Sequence, residues 1–172
     1  MHILNYYFTP FAVILILFAI YFSEPEKQVT YLSFGVLAAA FFANWWLGRN
    51  TYKFLRWSRH IRALTVWMNM AVSGALFYLL SPYWSPMWLL FLTAPAASAM
   101  YMKKWQVFLT ALFSSGIMIA LYYVRSLAYG EGGGMGAQLW GMAVTQAVFI
   151  IFFSMFTAAM AEMVVKVRDS MR

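Results

Sequence analysis

The chain has 172 residues, of which 64% are hydrophobic, 20% aromatic and 10% charged, and its formal net charge is +7 at pH 7. Soluble domains carry about 25% charged and roughly 45–50% apolar residues, so this composition excludes an ordinary soluble domain and predicts an integral membrane protein. The sequence has no cysteine, which excludes disulfides, thiolate metal sites and cysteine nucleophiles.

Six apolar segments come close to the length of about twenty residues that crosses a hydrocarbon core of about 30 Å. The predicted spans are residues 4–22, 29–47, 63–80, 87–102, 105–124 and 138–161. The sequence therefore predicts an all-α fold, a six-transmembrane-helix bundle that forms a single membrane domain over residues 1–172. The first segment is interpreted as a retained span and not as a signal peptide, because no Lys or Arg precedes it and no small-residue cleavage site follows.

The fourth segment is short for a crossing and contains Pro95. A kinked span and a re-entrant segment buried in protein both fit this pattern. We favour the span, because Lys103 and Lys104 close the segment and a re-entrant piece would place both lysines outside the cell.

Positive charge is concentrated in the loop of residues 49–62, between the second and third predicted spans. Its five cations are Arg49, Lys53, Arg56, Arg59 and Arg62. If this loop is cytoplasmic and there are six spans, ten Lys and Arg residues lie inside and two, Lys27 and Arg125, lie outside. The positive-inside rule then predicts a multi-pass protein of the cell inner (plasma) membrane with both termini in the cytoplasm. We expect the five cations to contact anionic lipid headgroups of the bilayer and to fix the topology.

Nucleic acid is not an expected partner, because no RNA- or DNA-binding motif accompanies the positive charge. The two histidines, His2 and His60, fall at predicted water interfaces, and all five carboxylates fall in loops or at the end of the last helix. No acid lies near a predicted bilayer midplane, where proton relays and ion paths place them. The sequence therefore predicts no enzyme activity, no catalytic residue, no cofactor and no metal.

Polar residues within the predicted spans usually hydrogen-bond between helices. A functional alternative is an intramembrane polar pocket formed by Asn69, Ser73 and Gln146 that binds a small ligand, a quinone or a lipid headgroup. Asn69 and Ser73 are four residues apart and therefore share one face of a helix.

The last helix is predicted to continue beyond the membrane as a cytoplasmic tail of residues 162–172. Met160, Val164, Val167 and Met171 are spaced four, three and four, as in the a/d seam of a coiled coil. This coupling helix would form a homodimer or contact a protein partner. An amphipathic helix end lying on the membrane surface fits the same pattern equally well.

The stretch from Arg62 to Met118 resembles the six-span membrane input region of bacterial sensor histidine kinases and related signalling receptors. A basic entry leads into a span with several polar residues, and SPYWSPMWLLFLTAPAASA, residues 81–99, is similar to the hairpin between that family's third and fourth spans. The last helix looks like the family's coupling helix. No phospho-accepting His box, nucleotide-binding Asn box or glycine-rich ATP lid occurs in these 172 residues. The resemblance implies a non-catalytic sensor or interaction module that transmits a signal through the last helix to a cytoplasmic partner or output domain.

Two other functions stay open at this point. The chain length and span count also suit a small-molecule-binding membrane subunit, like the six-span vitamin-binding components of energy-coupling transporters. A structural subunit of a larger membrane complex requires no site at all and would present its Met-rich and aromatic surface to partners.

Overall fold

A computed structural model describes residues 9–50, 58–129 and 135–170. The regular structure in these ranges is helical throughout and contains no strand, as predicted. The chain divides into two compact units, Met1–Leu90 and Phe91–Arg172. The helices are α1, Thr9–Ser23; α2, Lys27–Asn50; α3, Ser58–Leu80; a 3₁₀ helix, Ser85–Leu89; α4, Leu90–Ser98; α5, Lys104–Tyr129; and α6, Ala137–Ser170.

Among the described residues, four helices are long and apolar enough to cross a membrane. They contain Lys27–Leu47, Ala63–Leu80, Lys104–Ala128 and Ala137–Ser170. These stretches correspond to the predicted second, third, fifth and sixth spans. Helix α1 has 15 residues, and residues 4–8 of the first predicted span lie outside the described residues. The prediction of an all-helical chain with helices suited to a bilayer is confirmed, and the count of six spans stays a prediction.

The predicted fourth span is divided into a 3₁₀ helix of five residues and the nine-residue helix α4. At about 2.0 Å and 1.5 Å per residue these rise about 24 Å together, against a hydrocarbon core of about 30 Å. Pro95 lies inside α4 and has no N–H to donate to the carbonyl of Phe91, four residues earlier. The hydroxyl of Ser114 on α5 donates to that carbonyl instead, at 2.8 Å. The proline therefore removes one helical donor inside α4, and a hydroxyl of α5 donates to the carbonyl that this donor would have served.

In the first unit, α2 packs along α3, and α1 contacts α2. Glu24 adopts a left-handed backbone conformation with φ of 42°, which ends α1. The Ser23 hydroxyl donates to the carbonyl of Tyr83 at 2.6 Å, and the ring of Phe22 stacks on Trp84 with centroids 5.5 Å apart. The turn after α1 and the turn after α3 therefore lie at the same end of this unit, which is what alternating crossings of the first three predicted spans require.

The second unit is organised around a hairpin of α5 and α6. The hydroxyl of Ser115 donates to the Ala147 carbonyl at 3.3 Å, and the Tyr122 hydroxyl donates to Gln146 Oε1 at 3.0 Å. A stripe of buried residues with helical spacing runs along α6 and consists of Ala143, Gln146, Ala147, Ile150, Ser154 and Ala158. Small side chains dominate this stripe and allow close packing of helices in a membrane.

Candidate functional site

Two of the three predicted pocket residues lie on α3, and both have protein partners. The Asn44 Nδ2 group donates to Asn69 Oδ1 at 2.9 Å, and Asn69 Nδ2 donates to the Thr65 carbonyl at 2.9 Å. The Ser73 hydroxyl is buried and donates to the Leu90 carbonyl at 3.1 Å. The amide pair links α2 to α3, which is the structural role that polar residues in spans usually have.

Gln146, the third predicted pocket residue, belongs to the second unit. It is 7% exposed, and its side-chain oxygen accepts the hydrogen bond from Tyr122. All three residues thus take part in hydrogen bonds within their own units. A ligand pocket formed by Asn69, Ser73 and Gln146 stays a prediction.

The basic run is described only in part. Arg49 lies in the last turn of α2, where its guanidinium carbon is 5.4 Å from the centroid of the Trp45 ring, a cation–π distance. Lys53 and Arg56 lie outside the described residues, and Arg59 and Arg62 belong to the first turns of α3. The contact of this run with anionic headgroups stays a prediction.

The predicted coupling helix is the C-terminal part of α6, which is unbroken over 34 residues. Residues 163–170 are all exposed, including Val164 and Val167 of the predicted seam. Met160 is also exposed, and Met171 lies outside the described residues. At about 100° per residue, Val164 and Val167 lie about 160° and 140° around the helix from Glu162.

Glu162 marks the end of the α5–α6 contact. Its carboxylate forms ion pairs with Lys104, at the first residue of α5, and with Lys166, one turn later on α6, where the nitrogen–oxygen distance is 3.2 Å. Glu162 follows the predicted span, and the ammonium groups of Lys104 and Lys166 hold the pKa of its carboxyl below the usual range. One carboxylate therefore joins the start of α5 to the exposed tail.

Sequence reasoning missed this ion pair, although a signal for it was present. Lys104 and Glu162 are the charges that border the fifth and sixth predicted spans, and consecutive spans joined by a short loop are neighbours. Opposite charges at the same end of two neighbouring antiparallel helices indicate a contact.

Within residues 9–50, 58–129 and 135–170, no group of three or more His, Cys, Asp or Glu residues could hold a metal ion. Comparison with known proteins identifies no relative of the chain: no family model matches it, and no curated protein or solved structure does. The candidate sites are therefore defined by the contacts of this chain alone.

Proposed function

We propose that the chain is a non-catalytic module of the inner membrane that crosses it six times and transmits a signal through α6 to a cytoplasmic partner or output domain. The observation that supports this proposal most is the length of α6. Its 34 residues rise about 51 Å, well beyond the roughly 30 Å of a hydrocarbon core. Residues 137–161 carry no charge, so the excess length is the charged end that begins at Glu162.

The charges of the second unit support a cytoplasmic position for this end. Lys103, Lys104, Lys166 and Arg168 lie at the end of the hairpin where Glu162 pairs with Lys104, and Arg125 lies towards the other end of α5. An excess of cations favours the cytoplasmic side. The excess of cations at this end is the same whether or not residues 87–102 cross the membrane, and it supports a cytoplasmic C-terminus.

The exposed tail supports contact with a second copy of the chain. The buried stripe of α6 ends at Ala158, and Glu162 continues that face towards α5. Val164 and Val167 lie on the far side of the helix and are 66% and 50% exposed. A seam with a/d spacing is self-complementary, so two parallel tails would bury these valines against each other. A dimer contact of this kind would let a change in the position of α6 reach the output.

Cysteine cross-linking tests the proposed dimer, because the chain has no cysteine of its own. In membranes under mild oxidation, Val167→Cys is expected to form a disulfide-linked dimer, since a/d positions bring the two Cα atoms within the range of about 4.4–6.8 Å that a disulfide requires. Asp169→Cys is the matched control, because Asp169 lies only about 20° around the helix from Glu162 and thus away from the seam.

Adding Val164→Asp to the Val167→Cys variant is expected to abolish the cross-link without affecting membrane insertion, because two carboxylates would face each other across the seam. Equal cross-linking at positions 167 and 169 would show random collision and refute the dimer seam. A cross-link that survives Val164→Asp would refute it as well.

A further inference from the structure

A cavity of about 430 Å³ lies in the second unit beside the Lys104–Glu162 ion pair. The turn of residues 99–104, which joins α4 to α5, forms one wall. Ala158, Ala161, Glu162 and Val165 of α6 form the other. Neither the predicted polar pocket nor the tail seam includes this cavity.

The cavity has an apolar floor and a cationic rim. Ala99, Val107 and Ala158 form a buried cluster, and Met102 packs against it. Lys103 and Lys104 also line the cavity, and both are exposed. With Glu162, the lining carries two positive charges and one negative charge, which leaves a net charge of +1 for a ligand to neutralise.

The backbone of the turn is held in place by hydrogen bonds. The N–H groups of Tyr101 and Met102 both donate to the Ser98 carbonyl, at 3.1 and 2.9 Å. The N–H of Lys103 donates to the side-chain oxygen of Gln106 at 3.2 Å. The two lysines are therefore presented by a fixed turn, and their side chains alone have to reorganise when an anion binds.

The two lysines differ in their pairing. Lys104 has the Glu162 carboxylate, whereas the exposed Lys103 ammonium has no ion-pair partner among the described residues. Glu162 is also paired with Lys166, so it can release Lys104 and keep one cation. An anion in the cavity would bind Lys103 directly and compete with Glu162 for Lys104.

We propose that this cavity binds the phosphate headgroup of an anionic phospholipid, with Lys103 and Lys104 on the phosphate and the apolar wall against the glycerol and acyl chains. The position supports a lipid as the source of the phosphate. Lys103 and Lys104 border the apolar part of α5, and Glu162 is the first charge after residues 137–161 of α6, so the cavity is expected at the membrane surface. A soluble phosphate ester offers the same anion but makes no use of the apolar wall.

Native mass spectrometry of the intact protein tests the site by titration with phosphatidylglycerol, with phosphatidylcholine as the neutral lipid. Lys103→Gln is expected to weaken binding of the first phosphatidylglycerol about fivefold, the effect of one lysine near a membrane surface. Lys27→Gln is the charge-matched control in the other unit and should leave the affinity unchanged. Glu162→Gln should strengthen binding, because it frees Lys104.

A second pair of variants changes the space and not the charge. Ala161→Leu narrows the cavity and should weaken binding, whereas Ala159→Leu is the control on an exposed position that does not line the cavity. Equal effects of Lys103→Gln and Lys27→Gln would overturn the proposal. Displacement of bound lipid by glycerol phosphate as readily as by phosphatidylglycerol would overturn the assignment to a lipid. The measured quantity is bound lipid. A negative result would therefore not contradict the tail seam, and a failed cross-link would not contradict this site.

Discussion

Ser114→Ala tests the hydrogen bond that stands in for the one Pro95 cannot donate within α4. The Ser114 hydroxyl donates to the Phe91 carbonyl, which has no donor at residue 95 because proline lacks an N–H. Ser114 and Phe91 are both 0% exposed, so water does not replace the lost bond. Removing one partner of a buried hydrogen bond costs about 1–3 kcal/mol, and hydrogen bonds between membrane helices average about 0.6 kcal/mol. We expect a loss of about 1–2 kcal/mol, or about five- to thirtyfold in the unfolding equilibrium constant.

Pro95→Ala provides the decisive background, because an alanine at this position restores an N–H that can bond to the Phe91 carbonyl. In that background Ser114→Ala is expected to cost less than about 0.5 kcal/mol, since the carbonyl keeps a partner. The assay is reversible unfolding of the purified protein in mixed micelles, with all four members of the double-mutant cycle.

Ser115→Ala is the matched control for this cycle. Ser115 is also buried on α5 and donates to a carbonyl, that of Ala147, which lies inside the continuous helix α6 and has a regular helical donor. Its cost should be the same in the unsubstituted protein and in the Pro95→Ala background. An equal cost of Ser114→Ala in both backgrounds would show that the Ser114 hydroxyl does not stand in for a donor at residue 95.

Two further predictions follow from the hydrogen bonds of the first unit and from the tail. Asn44→Leu and Asn69→Leu should each destabilise the protein by about 1–2 kcal/mol, because the remaining amide loses its partner. The double variant should cost less than the sum of the two single variants. Strict additivity in the unfolding assay would contradict a direct hydrogen bond between the two side chains. The pKa of the Glu162 carboxyl is lowered from its ordinary value of about 4.5. The ion pair between Lys104 and Glu162 should therefore be fully formed above that pH and be lost as the pH falls through the lower pKa of the folded protein. Spin labels at Leu112→Cys and Ser170→Cys should then report a broader distance distribution in acid. Glu162→Gln should show the broad distribution at every pH. A distribution that does not change with pH when Glu162 is present would contradict this prediction.

Apolar length and helix-ending residues predicted the helices of this chain well. Four uncharged stretches became helices long enough to span a bilayer, and the short segment with Pro95 became a 3₁₀ helix followed by nine residues of α-helix. Both outcomes depend on local chemistry, because hydropathy and the missing proline N–H act within a few residues. The continuous helix beyond residue 161 also follows from local sequence, which has no glycine or proline between there and Ser170.

The partners of the polar side chains could not be predicted in the same way. The spacing of Asn69 and Ser73 correctly places both on one face of α3, but spacing does not say which neighbour that face meets. Asn69 pairs with Asn44, 25 residues away, and Ser73 with the carbonyl of Leu90. These contacts depend on the rotation of each helix about its axis, which packing of the whole unit decides. The predicted pocket did not anticipate such partners because it grouped residues by polarity alone.

Glu162 connects the two proposals, because the lipid cavity and the tail seam lie on opposite sides of the same helical turn. Hydrogen bonds and buried small residues hold α6 against α5 as far as Ala158, and beyond Glu162 every residue of the described tail is exposed. The Lys104–Glu162 pair is itself exposed, and exposed ion pairs contribute little to stability, so an anion that binds Lys104 can displace the carboxylate at small cost. Release of Glu162 would remove the described ion pair between the tail and α5 while leaving the buried part of the hairpin intact. Because α6 is continuous from its buried stripe into the tail, the tail would then be positioned only by its helical continuity with the part that packs on α5.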